Sequence, residues 1–591
     1  MATRNGGDLV SNLNKVYGIY TGGFVGFVVL LAILEQVGVP NKIIGYLFVA
    51  MTIGVYAAIG FITRTMQVSE YYVAGRRVPA MYNGMATAAD WMSAASFIAM
   101  AGGLYANGYD ALAFVLGWTG GYVLVATLIA PYLRKFGAYT VPDFLGARFG
   151  GDAARTIGII VLFCCSFTYI VGQVTGVGTI ASRFLGISYE VAVFVGLIGI
   201  LVCSMLGGMR AVTWTQVAQY IVLIVAYLVP VVILSAQVTG IPIPQLMYGE
   251  VLQRITELEA TKPALAGVKA HVVPFTNMSN WNFFALIICL MIGTASLPHV
   301  LMRYFTTPSV REARKSVGWS LLFIFLLYFT APAYAAFAKF EIYNNVLGTA
   351  IADLPNWVKI YSDLGLMAIK DANADGILQL KELTINPDVI VIATPEIAGL
   401  PYVIAGLVAA GGLAAALSTA DGLLLAIANA LSHDIYYRMV DPKASTQRRL
   451  VVARVLLIVV AILAAVVAST RPGGILALVA WAFSLAAAGL FPALVLGVWW
   501  SRTTSAGAVV GMAAGFLVTL FYLAATKYFG MPVWFGTSNI SAGIFGIPVG
   551  FIVTIVVSLM TPEPSAQMQA FVRSLRIPRG GTLMEEKDAA A

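Results

Sequence analysis

Charge is what this chain has least of. Only 10% of its 591 residues are Asp, Glu, Lys or Arg, against 60% apolar ones, where soluble domains carry about 25% charged residues. That excludes an ordinary water-soluble fold. Histidine numbers 3 and cysteine 4, too few for several haems or a binuclear metal centre, which argues against a respiratory-type membrane enzyme. Cys164, Cys165, Cys203 and Cys289 have no metal-ligand spacing, fall inside apolar runs and read as small packing residues. No G-x-x-x-x-G-K-[ST] occurs, so a nucleotide-driven machine is not expected. An ion gradient, or a solute's own gradient, is left as the energy source.

What the chain has in quantity is long apolar runs. Fourteen recur at about 17–37, 44–64, 83–106, 112–131, 157–182, 188–206, 213–236, 283–305, 317–338, 399–427, 450–469, 474–500, 505–526 and 541–560. About 20 apolar residues cross roughly 30 Å of hydrocarbon as a helix, and no other open structure satisfies its backbone there. The expected class is therefore an all-α integral membrane protein of about fourteen transmembrane helices. With the N-terminus inside, the inner segments hold the larger share of the 35 Lys and Arg, among them Arg76-Arg77, Arg134-Lys135, Arg311, Arg314-Lys315, Arg448-Arg449, Arg573, Arg576 and Arg579. Both termini come out cytoplasmic, in a multi-pass protein of the plasma membrane (a bacterial inner membrane). The net charge of +8 then reflects topology and anionic inner-leaflet lipid and does not call for nucleic acid. Met1-Ala-Thr-Arg4 opens no short apolar region with a small-residue cleavage site, so the first run reads as a retained helix.

Two runs are interrupted. The third holds Asp90, Ser93, Ser96 and Gly102-Gly103; the eighth holds Gly293-Thr294-Ala-Ser296-Leu-Pro298-His299. Gly and Pro at membrane depth free backbone groups that only protein or a wet cavity re-satisfies. The two runs lie five spans apart in order, as do the first helices of two inverted five-helix repeats, where broken helices point to a transporter's binding site; the plainer alternative is a pair of packing kinks. The tenth run adds Ser418-Thr419-Ala-Asp421-Gly422: small residues suit close helix packing, and an intramembrane acid suggests function. Between the sixth and seventh runs, Gly207-Gly208-Met209-Arg210 reads as a tight inner turn with one cation.

Taken together, Gly207 to Gln219, Asp90-Trp-Met-Ser-Ala-Ala-Ser-Phe97, Ser296-Leu-Pro-His-Val-Leu-Met-Arg-Tyr-Phe-Thr-Thr307, Arg311-Glu-Ala-Arg-Lys-Ser316 and Ala430-Leu-Ser-His-Asp-Ile-Tyr436 resemble the sodium/solute symporter family. Within it they resemble the acetate and short-chain monocarboxylate branch, and the likeness covers roughly 65–560. The resemblance implies a LeuT-type fold and no enzymatic activity. It implies secondary transport, Na⁺-coupled, of a small monocarboxylate; other solutes such as proline, H⁺ coupling, or a non-transporting sensor on the same scaffold are the rivals. It places a sodium site on the carbonyls of Ala89, Met92 and Ala415 and the hydroxyls of Ser418 and Thr419. Many members carry an acid at the position of Gln216, tied to sodium coupling in the sugar and proline branches; Gln is similar to the monocarboxylate branch. The implied organisation is flanking helices in 1–78, a first repeat in 79–240, an outer loop in 241–282, a second repeat in 283–500 with an outer loop 339–398, flanking helices in 501–562 and a cytoplasmic tail 563–591.

For the solute, half-helix N-termini and the hydroxyls of Ser93, Ser96, Thr294 and Ser296 are candidates, with Trp481 and Phe483 closing the cavity. Each hydroxyl has a plainer reading as a bond to its own helix carbonyl. Arg303 reads as a positive-inside anchor. His299 reads as a core histidine donating to a carbonyl, with a proton-sensitive group in the pathway as the alternative. Separately, 371–382 matches D-x-[DN]-x-[DN]-G-x₅-E throughout. Ca²⁺ would take Asp371, Asn373, Asp375, the Ile377 carbonyl, Gln379 through water, and Glu382, with Trp357 to Ile369 as the entering helix; a chance match in a solvated acidic loop is the alternative.

Overall fold

A computed structural model describes residues 12–577 except 66, 206 and 207, and leaves out the side chain of Cys203. Gly207 of the expected turn, Met1 to Arg4, and the tail beyond 577 with Arg579 lie outside the described residues. The chain begins with α1 (Leu13–Gln36), α2 (Asn41–Ile62) and a short α3 (Val68–Val73). Then come α4 (Ala80–Trp91), a π-helical turn Ala95–Ala99, α5 (Met100–Asn107), α6 (Leu112–Leu124), α7 (Ala130–Phe136) and α8 (Val141–Phe149). The long helices α9 (Asp152–Leu185), α10 (Tyr189–Ser204) and α11 (Gly208–Thr239) follow, then α12 (Pro244–Thr261). The second half holds α13 (Asn280–Thr294), α14 (Pro298–Met302), α15 (Val310–Asn345), α16 (Asn356–Asp363), α17 (Ile390–Ile397) and α18 (Tyr402–Asn429). It ends with α19 (Thr446–Ser469), α20 (Ile475–Gly489), α21 (Phe491–Trp499), α22 (Ser505–Tyr528), α23 (Gly543–Met560) and α24 (Ala566–Leu575).

Among the described residues, twelve helices are long and apolar enough to cross a membrane by length and composition, against the fourteen runs expected. The difference lies in two places. Ala95–Phe136 forms one 42-residue apolar stretch, and Tyr189–Val202 is a shorter apolar helix. The described fold is helical apart from one antiparallel ribbon, β1 (Met367–Ile369) on β2 (Leu383–Ile385).

Hydroxyl side chains set many of the helix starts. Thr140, Ser279, Ser309, Ser445 and Thr504 each accept the N–H three residues on, at α8, α13, α15, α19 and α22, satisfying an N–H group that has no partner within its own helix. The helix α18 lies at the centre: the window through Tyr402–Val440 is 94% buried, and it packs on α9, α11, α4 and α2. Its sequence explains this. The run from Ala409 to Ala416 contains only Ala, Gly and one Leu, so neighbouring backbones approach closely. Where bulky residues return, on α1 and α22, many side chains are exposed, as a lipid-facing surface requires.

The breaks form where the sequence places them. Met92 leaves helical geometry (ψ 69°) after α4, and α13 stops at Thr294, to restart at Pro298 as the first residue of α14. Both α4 and α14 sit against α18. Gly422 of α18 is required there, since a Cβ would fall 2.1 Å from Asp90 Oδ1.

Candidate functional site

At the α4 break, α18 supplies the oxygens. Ser418 Oγ donates to the carbonyls of Ala89 (2.6 Å) and Ala415 (2.9 Å); Thr419 Oγ1 donates to those of Asp90 (2.7 Å) and Ala415 (3.3 Å). All are buried. Four of the five residues expected to hold sodium therefore meet at one point. The fifth, Met92, is where the helix breaks; none of these hydroxyl bonds reaches its carbonyl, and Asp90's takes part instead. Three carbonyls and two hydroxyls within a few ångströms make a hard, neutral oxygen set, suited to a small cation without the cost of burying several acids.

Beside it lies a charged network. Gln216 Nε2 donates to the Ser418 carbonyl (2.7 Å) and to Asp90 Oδ1 (3.2 Å). Arg303 Nε pairs with Asp90 Oδ2 at 3.0 Å, both side chains fully buried, and Arg303 Nη1 donates to Thr213 Oγ1 at 3.2 Å. The reading of Arg303 as a membrane-surface anchor is thus corrected: α14 is barely more than one turn and directs Arg303 back under the α4 break. Ser204 Oγ donates to Asp421 Oδ1. His299 is corrected too. Neither ring nitrogen has a hydrogen-bond partner, so it donates to no carbonyl; its ring stands edge-on to Tyr169, centroids 5.4 Å apart.

The hydroxyls proposed for the solute divide. Thr294 Oγ1 bonds back to Leu290 O (2.7 Å), and Ser296 Oγ to Ile292 O and Gly293 O (3.0 Å each), the plainer reading in both cases. Ser93 Oγ accepts the Ala95 N–H (3.2 Å), capping the restarted helix. Ser96 Oγ meets Tyr328 Oη at 2.8 Å. Phe483 does face the break, 5.5 Å from Trp91 and 5.8 Å from Trp118 by ring centroids. Trp481 does not: its Nε1 donates to Asn539 Oδ1 (2.8 Å), and its ring lines a lateral groove of 180 Å³ with Phe167 and Leu520. The aromatics that do gather there, Trp118, Tyr122, Tyr169 and Tyr304, went unnamed at the sequence level. The available signal was Trp118 and Tyr122, four residues apart in mid-run, far from the interfacial belts where such residues collect.

The 371–382 loop folds on itself. Gly376 turns at φ 71° with its N–H on Asp371 Oδ2 (3.0 Å), and Asn373 and Gln379 donate to Asp375 Oδ2 (2.8 and 2.9 Å). Hydrogen bonds from the Ile377 N–H, above all, and from those side chains hold the Asp375 carboxyl below its usual range. Glu382 accepts the N–H groups of Ala372 and Gln379 (2.9 and 3.0 Å), and Ile377 bridges to Ala350. The expected entering helix is corrected: α16 ends at Asp363, Gly365 turns with φ 67°, and β1 occupies the last three residues.

Broken helices crossing a central small-residue helix at a buried oxygen cluster define the class: a multi-pass membrane transporter. The model of the sodium:solute symporter family matches residues 71–353 and 357–515, and the chain belongs to that family, as a secondary transporter and not an enzyme. It is 46% identical to an uncharacterized symporter of Cupriavidus necator, over 86% of this chain and 89% of the relative. It is 28% identical to a monocarboxylic acid transporter of Corynebacterium glutamicum, over 83% of this chain and 85% of the relative. Its fold is that of a Na⁺-coupled sialic acid symporter solved substrate-bound and outward-open, with TM-score 0.66 and 17% identity over 88% of this chain and 99% of that one.

Proposed function

We propose that the protein carries a small monocarboxylate into the cell together with Na⁺, by alternating access. The observation that carries this is the seating of the Ser418 and Thr419 hydroxyls on the freed carbonyls of Ala89, Asp90 and Ala415. A neutral set of that kind binds Na⁺ only while α4 and α18 hold this geometry, which ties the ion to the conformation. The Corynebacterium glutamicum relative supports the solute class. The stretch from α4 to Phe136, broken at Gly108, is long enough at 1.5 Å per residue to cross twice, and α10 adds a crossing. Fourteen crossings result, with inverted repeats in 79–240 and 283–500 and both termini in the cytoplasm. The outer loop 371–382 takes Ca²⁺ as a structural ion.

The test is uptake of labelled acetate and propionate into proteoliposomes. Ser418→Ala with Thr419→Val should raise the Na⁺ concentration for half-maximal uptake at least about tenfold, the loss of two hydroxyl ligands at about 1 kcal/mol each. Uptake that ignores Na⁺ and follows a pH gradient would overturn the coupling.

A further inference from the structure

Around the α4 break stands a ring of aromatic side chains drawn from different elements. Trp91 lies 5.0 Å from Tyr122 and 5.5 Å from Phe483; Phe483 lies 5.8 Å from Trp118 and 5.7 Å from Tyr169 by ring centroids. Tyr122 also interacts electrostatically with Tyr304 and with Asp90. All of these residues are buried. Four of their polar tips share one property: Trp91 Nε1, Trp118 Nε1, Tyr122 Oη and Tyr304 Oη make no hydrogen bond, and neither does Gln173 Nε2.

The imbalance has a sign. Indole and amide N–H groups only donate, and a phenol donates as readily as it accepts. Gln173 Oε1 takes the Ala94 N–H (2.9 Å), and both Asp90 oxygens take Arg303 and Gln216, while Gln216 Oε1 and Arg303 Nη2 are buried without a partner. Buried donors left without partners are costly. On these neighbouring rings the unpartnered donors outnumber the one unpartnered amide oxygen, which fits a guest that brings acceptors.

Resting on the reading of the protein as a monocarboxylate carrier, we infer that the solute's carboxylate is held by neutral aromatic donors, Trp118 Nε1, Tyr122 Oη and Tyr304 Oη. The Arg303 guanidinium is neutralised by Asp90 through Nε and adds one unpartnered donor, Nη2. The short alkyl tail lies against Phe483. This fixes the class more narrowly than an anion does. A neutral donor ring with one adjacent cation site suits a single negative charge, so dicarboxylates are rejected.

Trp118→Phe and Tyr122→Phe each remove one donor and keep the ring. In proteoliposomes at saturating Na⁺, each should raise the propionate concentration for half-maximal uptake about tenfold or more, as expected for a hydrogen bond to a charged group. Binding of propionate to the purified protein, read by tryptophan fluorescence of the Tyr122→Phe variant against the unaltered protein, should weaken by the same factor. Na⁺-induced thermal stabilisation without solute should be retained, which establishes that the variants are folded and keep the ion site. Succinate should compete with propionate neither before nor after substitution. Wild-type affinity in both folded variants, or competition by succinate, would overturn the donor ring while leaving Na⁺-coupled transport standing. Failure of the unaltered protein to bind propionate at all would overturn both.

Discussion

One ion pair, Asp90 with Arg303, lies wholly inside the protein. Asp90 and Arg303 are 213 residues apart in sequence and fully buried together, and no local pattern announces such a partnership. Arg303 stands at the end of an apolar run, where the counting of inner cations favours the membrane surface. By contrast, the depth of Ser418 and Thr419 in a small-residue run was legible, and their hydroxyls meet the carbonyls of Ala89 and Asp90. Removing one partner of a buried pair strands the other charge and costs about 3–5 kcal/mol. Arg303→Gln should therefore lower the melting temperature of purified protein sharply. Arg303→Gln with Asp90→Asn should recover a large part of the loss, since two neutral amides bury more cheaply than one orphan carboxylate. A double variant as unstable as the sum of the singles would show that the pair is not the source of the stability.

Among the elements, the membrane helices and their two interruptions could be read from run length and from Gly and Pro placement, because lipid leaves the backbone no alternative. The segment 339–398 was harder. Trp357 to Ile369 has a helix-like spacing of apolar residues, yet Gly365 turns the chain and pairing with Leu383–Ile385 makes the last three residues a strand; that partner lies beyond the calcium-like loop. The ribbon leads through Asn386–Val389 onto the broken helix itself, for a Cβ on Gly102 would stand 1.8 Å from Pro387 O. Ca²⁺ in 371–382 would order this support. At a hundredfold excess over Kd it should stabilise by about 2.7 kcal/mol, seen as a higher melting temperature in millimolar Ca²⁺ than in chelator. Asp371→Ala with Glu382→Gln should abolish that difference and leave Na⁺ dependence intact. Equal melting temperatures in Ca²⁺ and chelator for the unaltered protein would make the motif a chance match.

For the molecule as a whole, the two ends of the helix bundle carry different chemistry. At the end that the proposed topology puts outside, His271 is buried against Lys339 Nζ at 3.0 Å, and its backbone carbonyl accepts the Tyr109 N–H (2.9 Å) at the α5–α6 turn. Burial first, and the Lys339 charge second, push its pKa from 6.5 down to about 3. The unfolded chain thus binds a proton that the folded one refuses, so stability is full above about pH 6.5 and is lost progressively as pH falls towards 3. His271→Gln should flatten that part of the melting-temperature profile. The topology has a sharper test. Cys164, Cys165 and Cys289 all lie in apolar helices, the last two buried, so a cysteine introduced in a loop stands out against them. With both termini inside and fourteen crossings, the even count puts 371–382 outside and α24 inside. A membrane-impermeant maleimide on intact cells should label Asn373→Cys and not Gln569→Cys, and permeabilisation should expose the second. Both doubtful crossings precede 371–382, so thirteen crossings, with one of them missing, would put both sites on the opposite faces, and twelve, with both missing, would leave the two sites where they are. Labelling of Gln569→Cys in sealed cells would require Ala95–Phe136 or α10 to cross differently, and with it the assignment of the third and eighth spans as matching members of two repeats would fall.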